Sequence, residues 1–187
     1  MNEHPEDIFP KVLIVNSTIP GDSILNDLLH KMDYIDCYSC NIGLGGKSLR
    51  MEDVGKAFFT SEPTWIKRLF AIRNKLVKMF GLKIPKAITD RQKLLDNFKC
   101  NVGESMGFFQ VFAKNDHELI LGEDDKHLDF RVSFYLNNNG INQDLIVTTV
   151  VQFNQWAGKL YFLFVKPFHR LIVPAMVREM VKQLESK

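Results

Sequence analysis

The chain has 187 residues, of which 45% are hydrophobic and 25% charged, and its formal net charge is +2. A domain of this length buries about 70% of the surface that its unfolded chain exposes, so the sequence predicts one domain with a substantial core. A net charge this small gives no broad basic surface, and we therefore exclude nucleic acid as a partner.

The N-terminus is acidic and is followed by no long apolar stretch, which predicts a cytoplasmic protein without a secretory signal. Three cysteines, Cys37, Cys40 and Cys100, are too few and odd in number for a disulfide framework. Cys37 and Cys40 form a C-x-x-C within a predicted strand, where residues three apart point to opposite faces. We therefore expect plain thiols, with no metal site and no cofactor.

The N-terminal half alternates between short elements. Residues 1–20 are expected to be loosely structured, apart from an edge strand at 12–15. The pattern then predicts a helix at about 24–32, a strand at 33–42 and a short helix at 48–59. A longer helix is predicted from Pro63 to Phe80, because its apolar residues recur at three- and four-residue spacing and Gly81 follows.

Arg73 lies within the apolar stripe of that longer helix. A buried guanidinium without a partner costs several kcal/mol. Arg73 is therefore paired with a carboxylate, extended to solvent along its stem, or in contact with a polar ligand. The sequence leaves these alternatives open.

Regular alternation between about residues 106 and 155 predicts a meander of four antiparallel strands, at 106–113, 117–122, 127–136 and 145–155. A four-residue loop between the second and third strands would pair Leu121 with Leu128, Leu119 with Phe130 and Glu118 with Arg131. The last strand would place Phe134 beside Val147, Phe130 beside Val151 and Leu128 beside Phe153. One face of the sheet is then uniformly apolar, whereas the register of the strand that contains Phe109 is left open.

The opposite face of the sheet carries His127, Asp129, Arg131, Ser133 and Tyr135. His127 and Asp129 could form a histidine–carboxylate pair of the kind used in acid–base catalysis. We favour a solvated ladder of charges with Glu118, because one face of an antiparallel sheet is commonly wet.

From Gly158 onward the chain is predicted to form one long, kinked helix. The stretch from Leu160 to Val177 is apolar enough to suggest a membrane span. Charged residues in its middle and two prolines, Pro167 and Pro174, argue against insertion, so we expect no membrane span. We expect the helix to lie on the apolar face of the sheet.

Three segments together carry a family resemblance: FFTSEPTWIKRLFAIRNKLVKMFGLK, ILGEDDKHLDFR and GKLYFLFVKPFHRLIVPAMVREM. They resemble a bacterial family of uncharacterised domains, domain-of-unknown-function family 2867. The resemblance implies an α+β fold of the helix-grip (START-like, SRPBCC-type) group, in which an antiparallel sheet wraps around a long C-terminal helix over residues 1–187. It carries over no catalytic residues.

The leading functional hypothesis is a small hydrophobic or amphipathic ligand held between the sheet and the C-terminal helix, enclosed mainly by Phe side chains. The candidate ligand-binding residues are Trp65, Arg73, Phe109, Phe130, Trp156 and His169. A cyclase- or dehydratase-like enzyme is a second hypothesis, but it needs an inward-facing histidine and carboxylate, and the alternation places His127 and Asp129 outward. A homo-oligomeric interaction protein, for example a homodimer, is the third.

Overall fold

The computed structural model describes residues 12–44, 46–61, 95–107, 109–139 and 142–186. Within these ranges seven strands form one antiparallel sheet in the order β1-β2-β7-β6-β5-β4-β3. The strands are β1 (Val15–Asn16), β2 (Tyr34–Ile42), β3 (Ser105–Met106), β4 (Phe109–Lys114), β5 (Glu118–Asp124), β6 (Leu128–Asn139) and β7 (Asn142–Phe153). The predicted α+β class and the predicted meander are confirmed.

The described helices are a 3₁₀ helix at Ile24–Lys31, α1 at Met51–Thr60 and α2 at Trp156–Glu185. Ser23 caps the 3₁₀ helix, because its hydroxyl accepts a hydrogen bond from the Leu25 amide at 3.2 Å. All three lie close to their predicted positions, and α2 is the predicted long C-terminal helix. The helix predicted from Pro63 to Phe80 lies outside the described residues.

The two α-helices pack on one face of the sheet, which we call the inner face. Their buried residues, such as Val54 and Phe58 of α1 and Met180 of α2, form one apolar cluster with sheet residues that include Leu119 and Phe134. The rings of Phe58 and Phe134 are in contact, and their centres are 5.0 Å apart. The predicted apolar face of the meander is therefore the face that meets the helices.

The pairing of β6 with β7 is as predicted: Phe134 lies opposite Val147, Phe130 opposite Val151 and Leu128 opposite Phe153. The predicted pairing of β5 with β6 is wrong by four residues, because Leu119 lies opposite Phe134 and Asp124 opposite Asp129. Glu123 and Asp124 continue the ladder instead of forming the turn. An even shift leaves every side chain on its predicted face.

The prediction of a wet outer face is also wrong. The 3₁₀ helix covers part of it, and Glu118 and Ser133 are buried there. His127 is also buried, in the turn before β6. The Glu118 carboxylate is fully buried and accepts hydrogen bonds from the Ser23 hydroxyl and the Ile24 amide, each at 2.7 Å, and from the Ser133 hydroxyl. Glu118 thus anchors the start of the 3₁₀ helix instead of joining a solvated charge ladder.

Arg131 does not pair with Glu118 either. Its guanidinium binds Asp124 at 2.6 Å and lies 3.5 Å from the centre of the Phe112 ring. Stacking on an aromatic face and pairing with a carboxylate are both typical of arginine.

Candidate functional site

A cleft of about 420 Å³ opens between the first half of α2 and the adjacent ends of β2 and β7. Most of its lining is apolar or aromatic, and two lysines of α2 contribute to its walls. The lining residues are Asp33, Tyr34, Phe153, Trp156, Lys159, Leu160, Phe162, Leu163 and Lys166. Its volume and composition lie within the range of small-molecule sites in proteins.

Aromatic rings that contact one another at tilted angles form one wall of the cleft. The Phe162 ring centre lies 4.7 Å from that of Tyr34 and 5.4 Å from that of Phe153. The Lys166 ammonium lies 5.1 Å from the centre of the Tyr34 ring, within range of a cation–π interaction. A ligand in the cleft would therefore meet a rigid aromatic surface with a cation at its edge.

Tyr34 joins this cleft to a polar cluster between β2, β7 and α2. Its hydroxyl donates a hydrogen bond to Asp36 Oδ2 at 2.8 Å, and His169 Nε2 of α2 lies 3.1 Å from the same oxygen. Asp36 is paired in register with Thr149 of β7. The side chains of Asp36 and His169 are 12% and 18% exposed, so the pair is largely shielded from solvent.

Several polar atoms of this cluster are buried without a hydrogen bond from or to the described residues. They are Asp36 Oδ1, Thr149 Oγ1 and His169 Nε2, the last of which is at ion-pair distance from Asp36 but is not aligned for a hydrogen bond. Buried polar groups are nearly always hydrogen-bonded in proteins, so each such exception calls for an explanation. Polar groups of a ligand, or water molecules, would supply the missing partners.

The environment sets the charge states of the cluster. Burial of Asp36 opposes its ionisation, but His169, Tyr34 and Thr149 outweigh this and lower the pKa of Asp36 below its ordinary value. Burial, together with the hydrogen bond to Asp36 and its charge, raises the pKa of Tyr34 to about 12. Asp36 is thus an anion near neutral pH, and Tyr34 is a neutral hydrogen-bond donor.

The predicted site residues lie in different parts of the structure. Trp156 lines the cleft while remaining 77% exposed, and His169 lies in the polar cluster. Phe130 packs against the buried group that contains Tyr34 and Phe162, whereas Phe109 lies farther along the inner face, 5.6 Å from Phe130 between ring centres and in contact with the rings of α1. The structure therefore does not bring Phe109 to the cleft.

Trp65 and Arg73 lie outside the described residues, and their assignment stays a prediction. Within the described ranges, no group of three or more His, Cys, Asp and Glu side chains is placed to hold a metal ion.

The sequence reasoning missed Tyr34, Asp36 and Thr149. A signal was present in β2, where strict alternation places Tyr34, Asp36, Tyr38, Cys40 and Ile42 on one face. A carboxylate in the middle of an otherwise apolar and aromatic strand face is unusual. This pattern could have directed attention to Asp36 as an inward-facing acid.

Sheet and helix together define an α+β protein in which a seven-stranded antiparallel sheet packs against a long C-terminal helix. The family model described as protein of unknown function DUF2867 matches residues 28–176, and the chain belongs to this family. No curated protein matches the chain.

Among solved structures, the chain is similar to the crystal structure of CalU16 from Micromonospora echinospora, with 13% sequence identity and a TM-score of 0.26. The similarity covers 94% of this chain and 93% of that chain. A TM-score this low supports no conclusion about the fold or function of the present chain.

Proposed function

We propose that this chain is a helix-grip-like domain that binds a small hydrophobic or amphipathic molecule in the cleft between the sheet and α2. The cleft itself carries the proposal: about 420 Å³ of space is lined by aromatic and aliphatic side chains and adjoins buried, unsatisfied polar atoms. Small-molecule sites typically combine an apolar lining with a few polar groups that fix orientation.

The two parts of the site suggest how the ligand lies. Its apolar part would contact Phe153, Leu160 and Phe162, which face the cleft. Its polar end would point toward Tyr34 and Asp36, where a hydroxyl or amide group could donate to Asp36 Oδ1. A carboxylate at that end would meet the Lys166 ammonium beside the Tyr34 ring as well as the Asp36 anion behind it.

A pair of matched substitutions tests the cleft. Leu160→Trp places a larger side chain in the cleft. Leu171→Trp makes the same change at an exposed position of α2 that does not line the cleft. Each protein is purified in native form, its mass is measured by native mass spectrometry, and bound molecules are recovered by solvent extraction. We expect a copurifying molecule in the wild type and in Leu171→Trp, and about tenfold less in Leu160→Trp.

Two results would contradict ligand binding. Equal occupancy in both variants would place the molecule elsewhere, and a wild-type protein without any bound molecule would remove the proposal. A ligand-free dimer in the same experiment would favour the homo-oligomeric alternative, in which the exposed apolar side chains of α2 pair with a second copy.

The Asp36–His169 pair favours a second candidate function, a cyclase- or dehydratase-like enzyme that uses the same cleft. Such an enzyme needs an inward-facing histidine and carboxylate, and these two residues provide them at 3.1 Å. Asp36, beside Nε2, would stabilise the positive charge of the imidazolium that forms when Nδ1 accepts a proton from a ligand carbon or hydroxyl, and Nδ1 would then return the proton.

Solvent extraction of the molecules bound to the His169→Gln variant distinguishes ligand binding from catalysis. If the protein is an enzyme, the variant retains a substrate whose mass differs from that of the molecule bound to the wild type. If the protein only binds a ligand, both proteins carry a molecule of the same mass. An identical mass at equal occupancy would therefore contradict catalysis by His169.

A further inference from the structure

One side of α2 exposes large apolar side chains, and two of them, Trp156 and Leu163, also line the cleft. Trp156 is 77% exposed, and Leu163 and Leu171 are 65% exposed. Phe164 and Phe168 are exposed on the same helix. Steps of three, four and seven residues along a helix return to one side, so these side chains form a stripe that we call the outer stripe of α2.

Basic residues of α2 accompany the outer stripe, and Asp33 lies near two of them in the lining of the cleft. Lys159, Lys166 and Arg170 follow one another at spacings of seven and four residues, which places them along one edge of the stripe. No acidic residue occurs between Trp156 and Arg178 in the sequence. The surface is therefore apolar with a positive margin.

We propose that the outer stripe of α2 docks on the surface of a lipid bilayer that contains anionic lipids. Helices with Trp, Phe and Leu on one side and Lys or Arg beside them lie in the bilayer interface, with the apolar side buried about 5–10 Å deep. Trp156 at the start of α2 matches the preference of tryptophan for the boundary between headgroups and hydrocarbon. Anionic headgroups complement the exposed Lys159 and the two cations that follow it, Lys166 beside the Tyr34 ring and Arg170 beside the Tyr34 hydroxyl.

A second copy of the chain is a poorer occupant of this surface. A twofold interface places the same surface on both partners, so the basic residues of one α2 would face those of the other. The stretch of α2 between Trp156 and Arg178 contains no acidic residue that could neutralise them. A bilayer neutralises the same charges.

Docking differs from crossing the membrane. Among the described residues α2 is the one helix long and apolar enough to cross a membrane, as judged by length and composition. However, its opposite side is held by the protein: Tyr161, Phe162 and Met180 are buried, and Gly158 lies against the backbone carbonyl of His127. On α2, the outer stripe is the side that is available to lipid. The stripe and its basic margin share Trp156, Lys159, Leu163 and Lys166 with the lining of the cleft, but docking does not require a bound ligand there.

Cosedimentation with vesicles tests this proposal directly. The protein is mixed with vesicles of phosphatidylcholine alone and with vesicles of phosphatidylcholine and phosphatidylglycerol. We expect binding to the mixed vesicles that weakens as salt is raised, since surface attraction is screened within about 10 Å at 0.1 M salt. Each basic residue near the surface contributes about fivefold to partitioning, so Lys159→Gln/Arg170→Gln should weaken binding about 30-fold.

Two further variants separate charge from insertion. Leu163→Ser/Leu171→Ser should abolish binding to mixed vesicles, whereas Lys47→Gln/Lys99→Gln, which removes two exposed lysines that are not on α2, should reduce it less than twofold. Vesicles should also shift tryptophan fluorescence to shorter wavelength in the wild type and not in Trp156→Phe.

Several outcomes would overturn the proposal. These are no binding to mixed vesicles, equal binding to neutral vesicles, and unchanged binding by the Leu163→Ser/Leu171→Ser variant. Conversion of a wild-type dimer into a monomer by that variant, without any vesicle binding by the wild type, would assign the outer stripe to a second copy.

Discussion

Asp36 and His169 should stabilise the fold as a coupled pair. Their facing atoms are 3.1 Å apart, which corresponds to an attraction of about 5 kcal/mol at an effective dielectric constant of about 20. Both side chains are largely buried, so the cost of removing them from water offsets most of this attraction. We therefore expect a net coupling energy of about 1–2 kcal/mol between Asp36→Asn and His169→Gln in a double-mutant cycle.

Urea unfolding of the wild type, both single variants and the double variant measures this coupling. The attraction is ionic when the His169 imidazole is protonated. The exposed pair Glu179–Lys182 of α2 is the control, with an expected coupling of about 0.5 kcal/mol or less. Additive effects within about 0.5 kcal/mol for Asp36→Asn and His169→Gln would refute the reasoning.

Acid unfolding provides a second measure of how much the Asp36 carboxylate contributes to the stability of the fold. The pKa of Asp36 is lowered in the folded protein from an ordinary value of 3.8. Its contribution to stability is therefore fully present above that value and is lost as the pH falls through the lower folded pKa. Asp36→Asn should remove this part of the acid dependence, and an unchanged acid transition would contradict the assignment.

Three other predictions concern the fold. Gly158→Ala should destabilise the protein by about 3 kcal/mol or more in urea unfolding, because its Cβ would lie 2.1 Å from the His127 carbonyl oxygen; Gly21→Ala, with nothing within 4 Å, should have little effect. Glu118→Ala should cost about 2–4 kcal/mol in the same assay, since it leaves three buried donors unpaired. Burial raises the pKa of Cys100 to about 12, so alkylation at about pH 8, followed by mass spectrometry, should be slow until urea is added.

Alternating patterns predicted the sheet well where apolar residues alone fix the register. The pairing of β6 with β7 follows from Phe130 and Phe134, which must share the inner face with Val147 and Val151. A one-residue slip would move all of them to the outer face, so burial specifies this pairing strongly.

The pairing of β5 with β6 depends on turn chemistry that alternation does not contain. Asp125 accepts a hydrogen bond from the His127 amide at 3.1 Å, and Asp129 accepts one from the Asp125 amide at 3.0 Å. These side chains close a tight turn and allow Glu123 and Asp124 to remain in the strand. Glu123 and Asp124 have the composition of a loop, but they belong to β5 and pair with β6.

The candidate site was harder to predict because its parts are distant in sequence. Asp36 and His169 lie on the second strand and the last helix, and only the packing of α2 brings them together. In the same way, the buried state of Glu118 depends on the 3₁₀ helix, whose Ile24 amide is 94 residues away along the chain. A pattern within one element does not report which other element covers it.

The two prolines within α2, Pro167 and Pro174, limit how deeply this helix can enter a bilayer. Proline has no amide hydrogen, so the carbonyls of Leu163 and Arg170, four residues earlier in each case, lose their donors within the helix. Leu163 and Arg170 are exposed, where water or lipid headgroups can reach those carbonyls. Each would cost several kcal/mol in hydrocarbon, so α2 is suited to a hydrated boundary layer and not to the bilayer centre.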